Sequence, residues 1–529
     1  MDKTKIVLLV VLILGLAIFF RTWHLNSIPP GLYPDVAMNG NNALQAIKTS
    51  EYKLFYPENN GREGLFINLQ ALSIKIFGIH IWSLKLVSAL IGIFTVLGLY
   101  FLTKELFQSS TIALLAMFFI ATSFWHINFS RIGFRAIMVP FCLVWSFYFL
   151  FKAINLPPEK RNKLSTLIYL ILSGIFLGLG FHTYIAFRFV VFILIIPILI
   201  IFLRFIKEYK STGQFWNTFF KNGFWQYKIW ILIIILVGLP IGLYFLHNPQ
   251  DFLGRAGGVS IFARENLIKE MVLATVKTLG MFNVVGDKNW RHNFAGSPQL
   301  FWPVGILFLI GIIFSIKELR KGIHLFLLFW FGAMLLPAIL TAEGLPHALR
   351  TIGVIPVCYI YAAWGGSIFY KFLARKTNKS LLVTASLLFI FLCSYVAYDK
   401  YFIDWARQPV VKDSFAENYV EIGEYLNKLS SNIPNYVIVN QSGVLVPVEQ
   451  NGKIKDISMP AQTVIFMRAM NTKNQSTIYL LPEEINAIQS KDRLVVIPLQ
   501  YDFEIFKKLK EKFPQGNVRS QQDFWLFEF

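Results

Sequence analysis

The sequence predicts a polytopic α-helical membrane protein of about eleven transmembrane helices with a small C-terminal α/β soluble domain. Three observations predict it. The 529 residues are 55% hydrophobic and include 52 Phe, more apolar surface than a soluble fold of this length can bury. Uncharged runs such as Ile6–Phe20, Phe189–Phe202, Ile229–Leu246 and Leu381–Val396 approach the roughly 20 apolar residues of a bilayer crossing. The formal charge of +20 is unevenly placed: from Ile403 onward 14 Lys+Arg face 15 Asp+Glu, which leaves 36 against 15 of the chain's 50 and 30 ahead of it. A basic excess confined to the membrane part argues against a nucleic-acid partner.

The apolar runs place spans at 5–23, 82–103, 111–126, 137–153, 165–181, 189–206, 229–247, 300–316, 323–340, 350–370 and 380–398. No small-residue cleavage site follows the first run, so it is expected to be a retained span. With the N-terminus in the cytoplasm, every inner segment is basic, from Lys3 and Lys5 to Lys371, Arg375, Lys376 and Lys379. The odd span count then puts the C-terminal domain outside a cell (inner or plasma) membrane. The expected domains are 1–402, with long outer loops at 24–81 and 247–299, and an extracytoplasmic 403–529. Cys142, Cys358 and Cys393 all fall inside spans and read as packing residues, which leaves no disulfide framework or thiolate metal site.

In the first outer loop, helices are expected from about Val36 to Lys48 and from Leu65 to Phe77. The second carries Leu65, Leu69, Leu72 and Ile76 at helical spacing, the pattern of a helix lying along the membrane interface. The tail alternates expected helices at 415–429, 483–488 and 503–512 with expected strands at 436–439, 463–466, 477–481, 494–497 and 524–527, a small α/β domain. It has no glycine-rich phosphate loop and no nucleophile elbow.

The basic residues differ in kind across the membrane. The inner segments hold 15 Lys and 4 Arg, whereas the short outer turns carry Arg131, Arg135, Arg188 and Arg350 without a Lys, and the second long loop adds Arg255, Arg264 and Arg291. Outer arginines oppose the topology rule and need another cause. A guanidinium forks onto phosphate oxygens and stays charged near apolar surroundings, so an anion held at the outer face explains the set. Snorkelling, or pairing with Glu63, Asp251 and Glu343, is the competing explanation.

The stretch Asn26–Asp35 ends at an acid that begins a helix. Asp35 suits a helix N-cap, and a carboxylate there can also take a proton from a hydroxyl at the membrane surface. Pro30-Gly-Leu-Tyr-Pro-Asp35, followed by Tyr56-Pro-Glu-Asn-Asn-Gly-Arg-Glu-Gly64 and the amphipathic helix, resembles the first outer loop of GT-C glycosyltransferases. The likeness is greatest to bacterial relatives of dolichyl-phosphate-mannose–protein mannosyltransferases. Ser130–Arg135, His182–Arg188, Asp251–Arg255, Gly286–Asn293 and Pro346–Arg350 resemble further segments of those proteins. The likeness covers essentially the whole chain and rests on order, spacing and shared outer location.

The resemblance implies a sugar donor on a polyprenyl phosphate in the bilayer, a glycan, lipid or protein acceptor, and Asp35 as catalytic base in an inverting transfer. Where the family often has Glu directly after that Asp, this sequence has Val36. Arg350, then Arg135 and Arg188, with His347 and Arg131, are the candidates for donor phosphate. Arg62, Glu63, Asp287, Arg291 and His292 are candidates for acceptor binding or loop orientation. No cluster of His, Cys and acids has metal spacing along the sequence, so no metal or other cofactor is expected. A lipid-linked-sugar flippase or transporter would instead need charges near the midplane of the spans. The Val36 departure leaves a catalytically degenerate scaffold as a third reading.

Overall fold

The computed structural model describes residues 2–157, 164–209, 225–258, 260–263, 266–341, 343–450, 452–471, 477–489 and 493–529. Arg264 lies outside the described residues, as does the side chain of Arg255. The chain divides into two compact units, one of residues 1–23, 63–65 and 88–405, the other of 24–62, 66–87 and 406–529. The first outer loop and the C-terminal tail thus share one unit.

The larger unit is helical. Among the described residues eight helices are long and apolar enough to cross a membrane, and a bent pair makes a ninth candidate. That pair is α5 (Ser110–Ala121) and α6 (Phe124–Arg131), bent by 57° at Thr122 and Ser123, where the Ser123 hydroxyl caps α6 by accepting from the His126 amide. The apolar helices Leu164–Gly180 and Trp302–Lys317 occupy the remaining two expected span positions.

Small residues set the close helix pairs. A Cβ on Gly311 would lie 2.0 Å from the Tyr361 carbonyl oxygen, and one on Gly365 1.9 Å from that of Leu307, so helices Trp302–Lys317 and Ile355–Leu373 meet backbone to backbone. Such contact is the usual source of association where lipid removes the hydrophobic drive.

Two buried arginines fix the ends of α1 and α6. Arg21, in α1 (Lys3–Thr22), donates to the carbonyls of Ala17, Ile120 and Ala121 and lies 2.7 Å from His126 Nδ1. Arg131 at the end of α6 donates to the carbonyls of Phe20 (3.0 Å) and Trp23 (2.6 Å), with its guanidinium over the rings of Tyr401 and Phe402. A charge this deep persists only where hydrogen bonds replace its water, and the terminal guanidinium nitrogens of both residues donate to backbone carbonyls.

The second unit is an α/β domain with the first loop folded against it. Its five-stranded sheet runs in the order β6 (Thr477–Leu480), β3 (Asn435–Ile438), β7 (Val495–Pro498), β9 (Phe524–Glu528), β8 (Asn517–Gln521). Strand β3 is parallel to β6 and β7, and β9 is antiparallel to β7 and β8. Alternation along β3 sends Val437 to one face with Ile422, Leu426 and Val464, and Tyr436 and Ile438 to the other with Ile505, Phe506 and Leu509. The expected tail helices and strands fall close to observed ones with one exception, while the helix Pro409–Ser414, the hairpin Leu445–Gln450 with Lys453–Ser458 and the strand Asn517–Gln521 were not expected. Residues 463–466, expected as a strand from Thr463 and Val464, lie in the helix Ala461–Ala469. Tertiary packing overrides the β-branched preference there: Val464 and Phe466 are fully buried and Thr463 Oγ1 donates to the Leu32 carbonyl.

That bond is one of several joining the first loop to the tail inside this unit. Helix α2 (Pro34–Thr49) carries Asn41, whose amide donates to the Gln462 backbone oxygen (3.0 Å) and side-chain oxygen (2.8 Å). Met38 packs with Val446 and Met459, and a Cβ on Gly40 would strike the Phe466 ring at 2.6 Å. Helix α3 (Leu65–Phe77) is tied to the start of α4 (Ile81–Phe107) by Gln70 and Ser73, which donate to the Leu84 and Ser83 carbonyls. Leu72, Ile76 and Phe77 remain exposed, an apolar stripe of the kind expected at an interface.

Candidate active site

Helix α2 starts with Pro34 at its first position, where the fixed φ suits a helix and the missing N–H has no partner to lose. The Tyr33 carbonyl accepts from the amides of Val36 and Ala37, so Tyr33 is the N-cap and Asp35 stands one residue inside. The carboxylate gains from the helix dipole without capping. Its Oδ1 accepts from Asn59 Nδ2 at 2.8 Å, and among the described residues no other hydrogen bond reaches the Asp35 carboxylate.

Asn59 is offered by a strained loop. Asn59, Asn60 and Gly61 have successive φ values of 54°, 62° and 83°, a left-handed run that Asn and Gly tolerate best. The surroundings hold it there. Arg62, fully buried, donates to Asn39 Oδ1 at 2.7 Å and Asn42 Oδ1 at 2.8 Å, both on α2, and pairs with Glu58 at 3.5 Å. Arg62 therefore pins the loop to the helix that bears Asp35. On the other side Lys85 Nζ, also buried, donates to the Pro29 and Gly31 carbonyls and holds the turn that enters α2. Val36 is buried in the same unit, which accounts for an apolar residue beside Asp35.

The other candidates belong to the helical unit. Arg135 Nε donates to Glu63 Oε2 at 3.0 Å, with its guanidinium 5.5 Å from the centre of the Tyr184 ring. Arg188 donates to the Phe252 carbonyl and lies over the Phe252 and Phe245 rings, and Glu63 is within its electrostatic reach. Arg350 donates to Thr341 Oγ1 (2.7 Å) and the Glu343 carbonyl (2.8 Å). Arg131 is taken up by the α1 carbonyls, a bracing position.

Asp287, His292 and His347 converge. His292 Nδ1 is 3.0 Å and His347 Nδ1 3.9 Å from Asp287 Oδ2, and the two imidazole centres are 5.0 Å apart. Burial alone would push the Asp287 carboxyl up, but the His292 hydrogen bond and the charges of His292 and His347 outweigh it and hold the group below its ordinary range. Helix α6 carries the struts for both loops: Trp125 Nε1 donates to the Ala348 carbonyl (3.2 Å), and Asn128 Nδ2 to that of Arg291 (2.7 Å). The Arg291 side chain itself turns back to Asn289 Oδ1. Sequence reasoning did not single out Asn59, Lys85, Trp125 or Asn128. The Asn-Asn-Gly turn was the one available signal, for Asn59.

The fold has counterparts among solved structures. ArnT from Cupriavidus metallidurans bound to undecaprenyl phosphate matches 100% of the chain and 98% of its own, with a TM-score of 0.58 at 10% identity. The chain has the GT-C fold. The apo state of the same protein matches 98% of the GT-C chain and 97% of its own, with a TM-score of 0.58 at 11% identity. The oligosaccharyltransferase AglB from Archaeoglobus fulgidus, in complex with an inhibitory peptide and a dolichol-phosphate, matches 90% of the GT-C chain with a TM-score of 0.51 at 15% identity. The chain spans 65% of that protein's length. The family of dolichyl-phosphate-mannose-protein mannosyltransferases matches residues 65–213. No curated protein matches the sequence.

Proposed function

We propose that this GT-C chain is a glycosyltransferase that moves a sugar from a polyprenyl-phosphate donor to an acceptor hydroxyl at the outer face of a cell membrane. Asp35 is the general base. The carrying observation is the Asp35 carboxylate: it stands in the first turn of α2, is oriented through one oxygen by Asn59, and makes no other hydrogen bond among the described residues. The bound undecaprenyl phosphate and dolichol-phosphate of the ArnT and AglB structures support the donor class.

In this reading the acceptor oxygen attacks the anomeric carbon as its proton passes to Asp35. The bond from that carbon to the phosphate oxygen breaks, and the electron pair leaves with the lipid phosphate. A single displacement inverts the centre. The leaving phosphate is a stable anion, so its departure needs no protein acid. Arg350, Arg135 and Arg188 supply positive charge, and His347 a hydrogen-bond donor, as charge grows on the phosphate. The N-terminus is cytoplasmic and the α/β unit extracytoplasmic.

The purified full chain, reconstituted with a polyprenyl-phospho-sugar and candidate acceptors, tests the class of activity. Release of polyprenyl phosphate with a glycosylated acceptor supports the transferase. Redistribution of intact donor between leaflets without turnover would establish a transporter in its place.

A further inference from the structure

We propose that Asp287, His292 and His347 form a binding site for one divalent transition-metal ion, with zinc the best match to the donor set. One donor atom from each lies within 4.8 Å of the others. Asp287 and His292 are buried, and His347 is nearly so. A tetrahedral zinc with ligands at about 2.0–2.1 Å separates its donors by roughly 3.3 Å. The observed separations from Asp287 Oδ2, 3.0 Å to His292 and 3.9 Å to His347, bracket that value. Small rotations of two imidazoles complete the geometry.

The outer partners are those a metal site needs. Asp287 Oδ1 accepts from the Asn289 amide and Oδ2 from the Ala348 amide, each at 2.8 Å, which fixes the carboxylate plane. The His292 ring stacks on Phe129 with centres 5.7 Å apart, and Trp125 and Asn128 hold the backbone of both ligand loops. All three of these residues are on α6. A simple Asp–His hydrogen bond would account for Asp287 and His292 alone. The second imidazole, His347, is turned to the same carboxylate oxygen at 3.9 Å, so all three donors face one point.

Two imidazole nitrogens and one carboxylate oxygen suit zinc, and three protein ligands leave a fourth position for water or an anionic oxygen. On coordination His292 Nδ1 releases the proton it now directs at Asp287 Oδ2, and the ring binds through that nitrogen. The ion would cross-link the 281–299 loop to the turn that carries Arg350. Along the sequence the site is hidden, because Ala348, the neighbour of His347, is 61 positions from Asp287. The site is independent of the proton transfer assigned to Asp35.

The test is metal content and metal response of the purified full chain, carried on a tag without histidines. Elemental analysis should find about one zinc per chain as isolated, or after loading and desalting. Cobalt substitution should give the visible absorption of a tetrahedral nitrogen–oxygen site. His347→Ala leaves the Asp287–His292 hydrogen bond in place, and it should weaken zinc by more than about 100-fold and abolish the zinc-dependent rise in Tm. Its Tm in chelator should equal that of the wild type. His292→Ala should lose the cobalt spectrum. A wild-type chain that takes up no zinc or cobalt and shows no Tm response would overturn the proposal. So would equal metal content in the wild type and both variants.

Discussion

Asn59 donates a 2.8 Å hydrogen bond to Asp35 from a backbone held in the left-handed region. Strain of this kind costs on the order of 1–3 kcal/mol per residue and persists where the surroundings over-determine it. Here Arg62 does so, bonded to Asn39 and Asn42. Asn59→Gly keeps the backbone freedom and removes the amide, so it isolates the bond from the strain. A hydrogen bond to a charged group is worth about 1.5–3 kcal/mol. The expected result is a roughly 10–100-fold lower kcat with little change in KM for the donor, read by steady-state kinetics. An unaltered kcat would show that Asn59 does not orient the base.

The Arg135–Glu63 pair is well shielded from solvent, with side-chain exposures of 13% and 4%. Removing one member leaves the other charged and poorly solvated, the costly half of a buried pair. Arg135→Ala and Glu63→Gln should each destabilise the chain, and the double variant should recover part of the loss. A coupling energy of about 1–3 kcal/mol is expected in a double-mutant cycle on thermal unfolding. Strict additivity would mean that the pair is not an energetic unit.

In the proposed reading Arg131 braces the fold and Arg350 holds the donor phosphate. Arg131→Lys loses the fork that spans the Phe20 and Trp23 carbonyls, so its Tm should fall while donor KM holds. Arg350→Lys is expected to do the reverse, raising donor KM several-fold at near-constant Tm. Measuring both quantities on both variants checks the assignment, and a fall in donor affinity for Arg131→Lys alone would reverse it.

The helical architecture was legible because apolar runs are local signals, and each expected span position holds a helix. The helices of the first loop and most of the tail were legible for the same reason. Residues 463–466 were not: Thr463 and Val464 favour a strand locally, and burial against the rest of their unit decides otherwise. Asp35 stood out by its motif as a helix-start acid, but its position inside the helix depends on which carbonyl accepts the first amide bonds, and that is Tyr33. The convergence of Asp287, His292 and His347 was invisible, since it needs two loops held by α6. The union of α2 with the tail was equally hidden, because Asn41 and Gln462 are 421 positions apart.

That union makes the tail a support for the helix bearing Asp35. Gly40→Val would drive a side chain into the Phe466 ring. Overpacking of this kind costs about 1–3 kcal/mol. The expected outcome is faster hydrogen exchange in 34–49 and 461–469, with the spans unchanged and transfer reduced. Exchange that speeds up in neither segment would show that the contact does not hold α2.

Turnover by Asp35→Asn measures the central claim most directly. The isosteric amide keeps an oxygen for the Asn59 hydrogen bond and cannot take the acceptor proton. At matched amounts of folded, reconstituted protein, the account predicts a loss of about 100- to 10,000-fold in sugar transfer, the usual contribution of a general base, with donor binding and Tm retained. Transfer at the wild-type rate would contradict it.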